Sequence, residues 1–221
     1  MAEIVCEICG HGVRTIHDGR FEIDYYYCKN CEFMFMDDEK IVPPEQEQKR
    51  YLAHINTPDD TEYVDMLKRF IEISIKPFHK NITTALDFGS GPGPVLSMLL
   101  KKMGFEVDIY DIYFAPQKVY RGKTYDLITC TEVLEHVKNP LEILKELKKH
   151  LNPGAILAIM TLFHPVEGLS PANASVFNNW WYRRDPTHIS FFRPETFRYI
   201  SRVLDMAILM IDEKNTVSLG K

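Results

Sequence analysis

Two CxxC pairs, Cys6-Glu7-Ile8-Cys9 and Cys28-Lys29-Asn30-Cys31, stand 18 residues apart at the start of a 221-residue chain. Each pair brings two sulfurs to one point from a tight knuckle, and two knuckles complete the tetrahedral set that a tetrathiolate zinc ion takes. Gly10 and Gly12 follow the first pair, where a knuckle turn needs a residue tolerant of positive φ. A segment this short cannot hold itself together by apolar burial, so the staple predicts a small zinc-ribbon-like module at residues 1–36. The alternative for the four cysteines is two disulfides. No signal-peptide pattern opens the sequence and no apolar run reaches membrane-spanning length. The expected compartment is therefore the reducing cytoplasm, with the thiols as metal ligands and no membrane partner. Cys130, inside an apolar run, reads as a buried structural thiol.

Charge narrows the partners. The whole chain carries a formal −5, and residues 1–36 hold three basic side chains against six acidic ones. An acidic metal module is a poor phosphate binder, which weighs against nucleic acid and favours a small-molecule partner. The oligomeric state is not legible. At 45% hydrophobic and 26% charged residues the chain is a globular one.

Three segments follow from patterning. Residues 1–36 read as the ribbon, with Phe21–Tyr27 and Phe33–Met36 as strands. Residues 37–80 read as a linker through Pro43-Pro44 and two lid helices, 45–54 and 59–75, the second started by Asn56 or Thr57 before Pro58. Residues 81–221 alternate strand and helix: strands 83–88, 105–111, 125–130 and 155–161, helices 92–103, about 131–150 and 194–203, and two closing strands near 205–212 and 215–219. This alternation implies an α/β, Rossmann-like, mainly parallel sheet with helices on both faces.

The chemistry sits at the ends of these strands. Asp87-Phe88-Gly89-Ser90-Gly91-Pro92-Gly93 runs from a strand into a glycine turn and a helix, a nucleotide-type crevice. The third glycine falls one residue earlier than in the dinucleotide fingerprint, and Pro92 and Pro94 remove two N–H donors that a pyrophosphate would use. A ligand without phosphate misses them less. Asp111, about 20 residues on at the end of the next strand, can accept both hydroxyls of a ribose. Asp108 is the weaker candidate, because Ile109 and Tyr110 continue the strand beyond it. The strand Tyr125–Cys130 then delivers Thr131 and Glu132 to the same edge.

In their order and spacing these elements resemble the motifs of class I S-adenosylmethionine-dependent methyltransferases, especially the small Rossmann-like group that includes quinone-biosynthesis O-methyltransferases. The resemblance covers about residues 82–220. It implies a seven-stranded sheet, with S-adenosylmethionine bordered by Asp87, Gly89, Ser90, Gly91, Gly93, Asp111, Ile112, Thr131, Glu132 and Val133. Only 13 residues separate Asp111 from Tyr125, so the third strand is expected to be vestigial and the adenine contact has no assignment.

Glu132, Glu135 and His136 form an ExxEH segment, and Asp185-Pro186-Thr187-His188 lies in the long connection 162–193. This resembles small-RNA 2′-O-methyltransferases, where such a helix and a later histidine bind a divalent cation over the reacting hydroxyl. The resemblance implies magnesium or another divalent cation on Glu132, Glu135, His136 and His188. The alternative is that Glu135 and His136 support the helix start, as in metal-free relatives. His188, Asp185 and Glu132 are the candidate catalytic groups, with His188 as base. Trp181, Tyr182 and Arg184 in the same connection, and Tyr51 and His54 on the lid, are the candidate substrate contacts. The expected activity is methyl transfer to an oxygen of a small or medium-sized metabolite. Two competing readings are an RNA methyltransferase recruited by its zinc module and a non-catalytic cofactor-binding protein.

Overall fold

The apolar run Thr84–Phe88 has neighbours on both sides and becomes the centre of a sheet. The computed structural model describes residues 4–53, 56–78, 82–168 and 170–221. Among these, one sheet has six strands: β4 (Thr84–Phe88), β5 (Glu106–Tyr110), β6 (Tyr125–Thr131), β7 (Leu151–Met160), β9 (Ala207–Ile211) and β10 (Thr216–Gly220), in the order β5-β4-β6-β7-β10-β9. The first four are parallel, and β10 runs antiparallel to both its neighbours.

Side chains alternate across the sheet with period two, as a strand dictates. Ala85, Leu127, Ile156 and Ala158 pack with Leu67, Phe70 and Ile71 of α2 (Thr61–Ser74) and with Val95, Leu96 and Leu100 of α3 (Val95–Lys102). Leu86, Ile128, Leu157 and Ile159 point the other way. They meet Leu141, Leu144 and Leu147 of α4 (Pro140–Lys149) and Phe197 and Ile200 of α6 (Pro194–Leu204). Cys130 is fully buried in this second layer.

Three local expectations change and one holds: no strand forms between β5 and β6, where 112–124 makes turns and one isolated bridge, Asp111 to Ala115. Tyr120 closes that edge instead, its ring 5.2 Å from Tyr110 and 5.0 Å from His150. The helix expected from about 131 starts only at Pro140. Asn139, preceding a proline, is disfavoured in the helical region, so Leu134–His136 forms a single 3-10 turn. Pro92 and Pro94 likewise delay α3 to Val95. The N-cap of α2 is Asp60, which accepts from the Tyr63 amide, and not Asn56 or Thr57.

The ribbon is stitched into the larger sheet's surroundings. A second sheet has the order β1-β2-β3-β8, with β1 (Arg14–Asp18), β2 (Ile23–Tyr27), β3 (Met34–Met36) and β8 (Ser190–Phe191), all antiparallel. The fourth strand comes from the long connection, which also holds α5 (Pro171–Asn179). The local signal for α5 was Ser170 before Pro171, a cap followed by a proline in the first turn. Tyr25, Tyr27, Met34, Phe177, Tyr182 and Phe191 form one shared apolar cluster. Of the knuckle glycines, Gly10 takes φ 71°, whereas Gly12 pairs with Val5 in a β-bridge. Helix α1 (Pro44–Leu52), expected as a lid, buries no side chain.

Candidate active site

A cavity of about 820 Å³ opens where β4, β5 and β6 end. One wall is main chain. Gly89 has φ 82° and donates to the Tyr110 carbonyl at 2.7 Å, and a Cβ there would lie 2.1 Å from Val133 Cγ2. Gly91, at φ 66°, donates to Asp111 Oδ2 at 2.9 Å. Asp111 Oδ1 accepts from the amides of Tyr113 and Phe114, at 2.9 and 3.0 Å. A carboxylate has about four acceptor directions. Acceptor capacity for a ligand therefore remains on Oδ2 alone, one direction where two hydroxyls were expected. Ser90 Oγ is buried at this wall with no partner among the described residues.

The opposite wall is made of side chains. Glu132, at φ 52° directly after β6, is open to the cavity, while Glu135 is fully buried. The Tyr182 hydroxyl donates to Glu135 Oε1 at 2.5 Å and lies 3.3 Å from Glu132 Oε2. The enclosing protein and then the Glu135 carboxylate push Glu132 well above the usual carboxylate range. Burial and then the two glutamates push the Tyr182 phenol up as well. His188 Nδ1 donates to the Tyr182 carbonyl at 2.7 Å, which leaves Nε2 as the acceptor. Its ring lies 4.7 Å from that of His136, and burial followed by His136 brings its pKa down to about 4.

Asp185 does not orient the His188 ring. Its Oδ1 accepts from the Thr187 hydroxyl and amide and its Oδ2 from Arg50 Nε at 2.8 Å. Burial opposes ionisation there, but these donors hold the carboxyl down at about 2.

A Methyltransferase domain family model matches residues 27–202. The chain belongs to that methyltransferase-domain family. Ubiquinone biosynthesis O-methyltransferase of Histophilus somni is 31% identical over 85 residues, 37% of this chain and 36% of that protein. The enzyme of the same name from Photobacterium profundum is 32% identical over 79 residues, 36% and 34% of the two chains. The matched segment thus spans about a third of these curated relatives. Among solved structures, N-methyltransferase NodS from Bradyrhizobium japonicum WM9 matches with TM-score 0.51 at 15% identity, covering 83% of this chain and 99% of that one. A SAM dependent methyltransferase from Archaeoglobus fulgidus gives TM-score 0.51 at 17% identity, with 80% and 99% covered. At these identities the two structures establish a shared fold.

Within the methyltransferase domain, most residues expected at the cofactor wall line the cavity: Gly89, Ser90, Gly91, Asp111, Ile112, Thr131, Glu132 and Val133. Two lie behind it. Asp87 is buried and accepts from Thr129 Oγ1 at 3.0 Å, with burial lifting its carboxyl to about 6. Gly93 faces the 56–57 segment, where a Cβ would sit 1.9 Å from the Asn56 carbonyl oxygen.

Tyr51, Trp181, Tyr182, Arg184, Asp185 and His188 also line the cavity, and Trp181 is 66% exposed at its rim. His54 lies outside the described residues. Glu135, His136 and His188 each offer a donor atom within 4.8 Å of the others, and Glu132 is not of that group. Glu132 meets Glu135 instead at the Tyr182 hydroxyl.

Two lining groups escaped the sequence reading. Glu47 accepts from Tyr51 at 2.6 Å and from Tyr113 at 2.5 Å, tying α1 to the turn after Asp111. Arg50 reaches Asp185 from the same helix. The Glu47/Tyr51 pair had an i,i+4 signal, whereas the other two contacts had none.

The four N-terminal cysteines converge with all Sγ atoms within 4.8 Å, Cys6 to Cys31 at 3.5 Å and Cys9 to Cys28 at 3.3 Å. They are free thiols, not disulfides. Zinc–sulfur bonds of about 2.3 Å in a tetrahedron need sulfurs roughly 3.8 Å apart, so a small expansion accommodates the ion.

Proposed function

We propose that this chain is an S-adenosylmethionine-dependent methyltransferase acting on an oxygen of a small or medium-sized metabolite. The observation that carries the reading is the cofactor wall: Gly89 and Gly91 at positive φ with bare main chain, and Asp111 fixed by three amides with one acceptor direction left. When bound, the cofactor supplies a methyl group on a sulfonium. Gly89 and Gly91 would lie under it, Asp111 Oδ2 would accept a ribose hydroxyl, and Ser90 Oγ would gain a partner.

The chain's own part is to align an acceptor and take its proton. His188 Nε2 is unprotonated at neutral pH because burial keeps the ring neutral. It accepts the hydroxyl proton while Tyr182 and Glu132 orient the acceptor, and Trp181 and Arg184 form its rim. Tyr51, on α1, closes the other side, whereas α2, expected as a second lid helix, packs on the sheet. A second reading of this wall rests on the 4.8 Å grouping of Glu135, His136 and His188, whose two imidazoles and one carboxylate suit a transition-metal dication such as manganese, and not the expected magnesium; it would lower the acceptor's pKa. Native mass spectrometry of chain prepared in manganese separates the two: zinc alone supports the base, zinc plus manganese the cation.

Cys6, Cys9, Cys28 and Cys31 hold one structural zinc, in keeping with a reducing cytoplasm. The test of the whole reading is calorimetric titration with S-adenosylhomocysteine. Saturable one-to-one binding is expected, and the absence of heat at millimolar ligand overturns it.

A further inference from the structure

Behind the acceptor wall lies an ion pair that touches neither the cavity nor the cysteines. Asp18, at the end of β1, is 2% exposed, and Arg183, in the 3-10 turn Tyr182–Arg184, is 3% exposed. Arg183 Nη2 donates to Asp18 Oδ2, Nη1 to the Tyr25 hydroxyl at 2.8 Å, and Nε to the Asn178 carbonyl at 3.2 Å. Its guanidinium also stacks 5.2 Å from the Tyr25 ring centre and 5.9 Å from that of Phe177. Asp18 is held in turn by the amide and guanidinium of Arg20. Every polar arm of Arg183 is thus committed, to β1, to β2 and to the end of α5.

A fully buried ion pair is weak evidence for stability, because removing two charges from water offsets most of their attraction. Its geometric effect is larger. Arg183 occupies the back of a turn whose front carries the site. Tyr182, one residue before it, places its hydroxyl between Glu132 and Glu135 and its carbonyl on His188 Nδ1. Five residues after Arg183, His188 leads into β8, which pairs with β3 of the ribbon, and the Met36 amide donates to the Ile189 carbonyl.

We propose that Asp18 and Arg183 are positioning residues through which the ribbon sets the place of Tyr182 and the tautomer of His188. The inference rests on the acceptor-wall reading above. It gives the N-terminal segment a part in the chemistry that its metal alone does not imply: the ribbon supplies the anchor against which the acceptor wall is held.

The experiment uses the full zinc-loaded chain. The double variant Asp18→Asn with Arg183→Met removes both charges together, so that neither is left buried alone. The readout is the His188 Nδ1–H signal in 15N-histidine NMR, assigned by its loss in His188→Gln. The double variant is expected to keep its zinc and to bind S-adenosylhomocysteine within about twofold of the parent, while solvent exchange of that proton rises by at least about tenfold. Arg183→Lys keeps the charge but gives up the fork, and a rise of about threefold is expected there. Unchanged exchange in both variants overturns the proposal and reduces the pair to a packing contact. Failure of the parent chain to bind S-adenosylhomocysteine would instead overturn the methyltransferase reading, and the exchange result would stand by itself.

Discussion

The two walls of the cavity are built in different ways. The wall proposed for the cofactor is backbone: glycines at positive φ, one aspartate and its amide donors, all between Gly89 and Phe114. The acceptor wall is side chains held from a distance. Tyr182 reaches Glu135 across 47 residues, and Arg183 reaches Asp18 across 165. A wall made of main chain fixes one ligand shape and tolerates little change. A wall made of side chains can be recut for a new acceptor, provided something rigid stands behind it. Here that support is the ribbon.

The sharpest way to break the contrast is to remove the metal. Cys6→Ser, or chelation of the zinc, should lower Tm by roughly 10 °C or more, because binding a structural zinc is folding free energy for a segment this small. If the walls are independent, affinity for S-adenosylhomocysteine falls less than about tenfold, which is under 1.4 kcal/mol. A complete loss of cofactor binding with the zinc would show that both walls lean on the ribbon.

The second test attacks the backbone wall alone. In Gly89→Ala the new methyl meets Val133 Cγ2 at 2.1 Å on a residue held at φ 82°. Cofactor affinity should fall about 100-fold, near 2.7 kcal/mol, with the zinc retained. Calorimetry with unchanged affinity would contradict the account of that wall.

The smallest effect sharpens how the ribbon is fastened. His164 Nε2 donates to the Glu32 carbonyl at 2.7 Å, beside the second knuckle, and burial pushes its pKa down to about 3. The unfolded chain takes up a proton there at the ordinary histidine value, whereas the folded chain does not until far lower pH. Stability contributed by this group is therefore present above about pH 6.5 and declines as pH falls toward about 3. Unfolding free energies from urea titrations at about pH 7.5 and about pH 5 should differ by about 2 kcal/mol through this residue. His164→Gln keeps a donor but does not titrate, and should flatten that difference. An unchanged slope in the variant would assign the acid sensitivity elsewhere.

The same contrast decides what could be read from the sequence. The glycine loop, Asp111 and the β6 exit were legible because each sits in a local strand-turn pattern and contacts near neighbours in the chain. The absent third strand was legible too, since 13 residues after Asp111 cannot hold another helix and strand. The ExxEH helix was misread: a Glu-rich apolar stretch suggests a helix, but the lysine-asparagine-proline run at 138–140 delays it, and Glu132 ends in the left-handed region. Asp185 was expected among the catalytic groups, yet its carboxylate turns back to Thr187 and out to Arg50. The pairing of β3 with β8 and the Asp18–Arg183 contact had no local trace, because nothing in a run of neighbouring residues specifies a partner more than 150 positions away.

The β3–β8 pairing bears on biosynthesis. Met34-Phe35-Met36, buried in the finished protein, is translated more than 150 residues ahead of its partner at Ser190–Phe191. At elongation rates of about 5–20 residues per second this apolar edge waits on the order of ten seconds for its cover. Early capture of zinc by the two knuckles would restrain that edge in the interval, so metal supply during translation bears on how much nascent chain escapes aggregation.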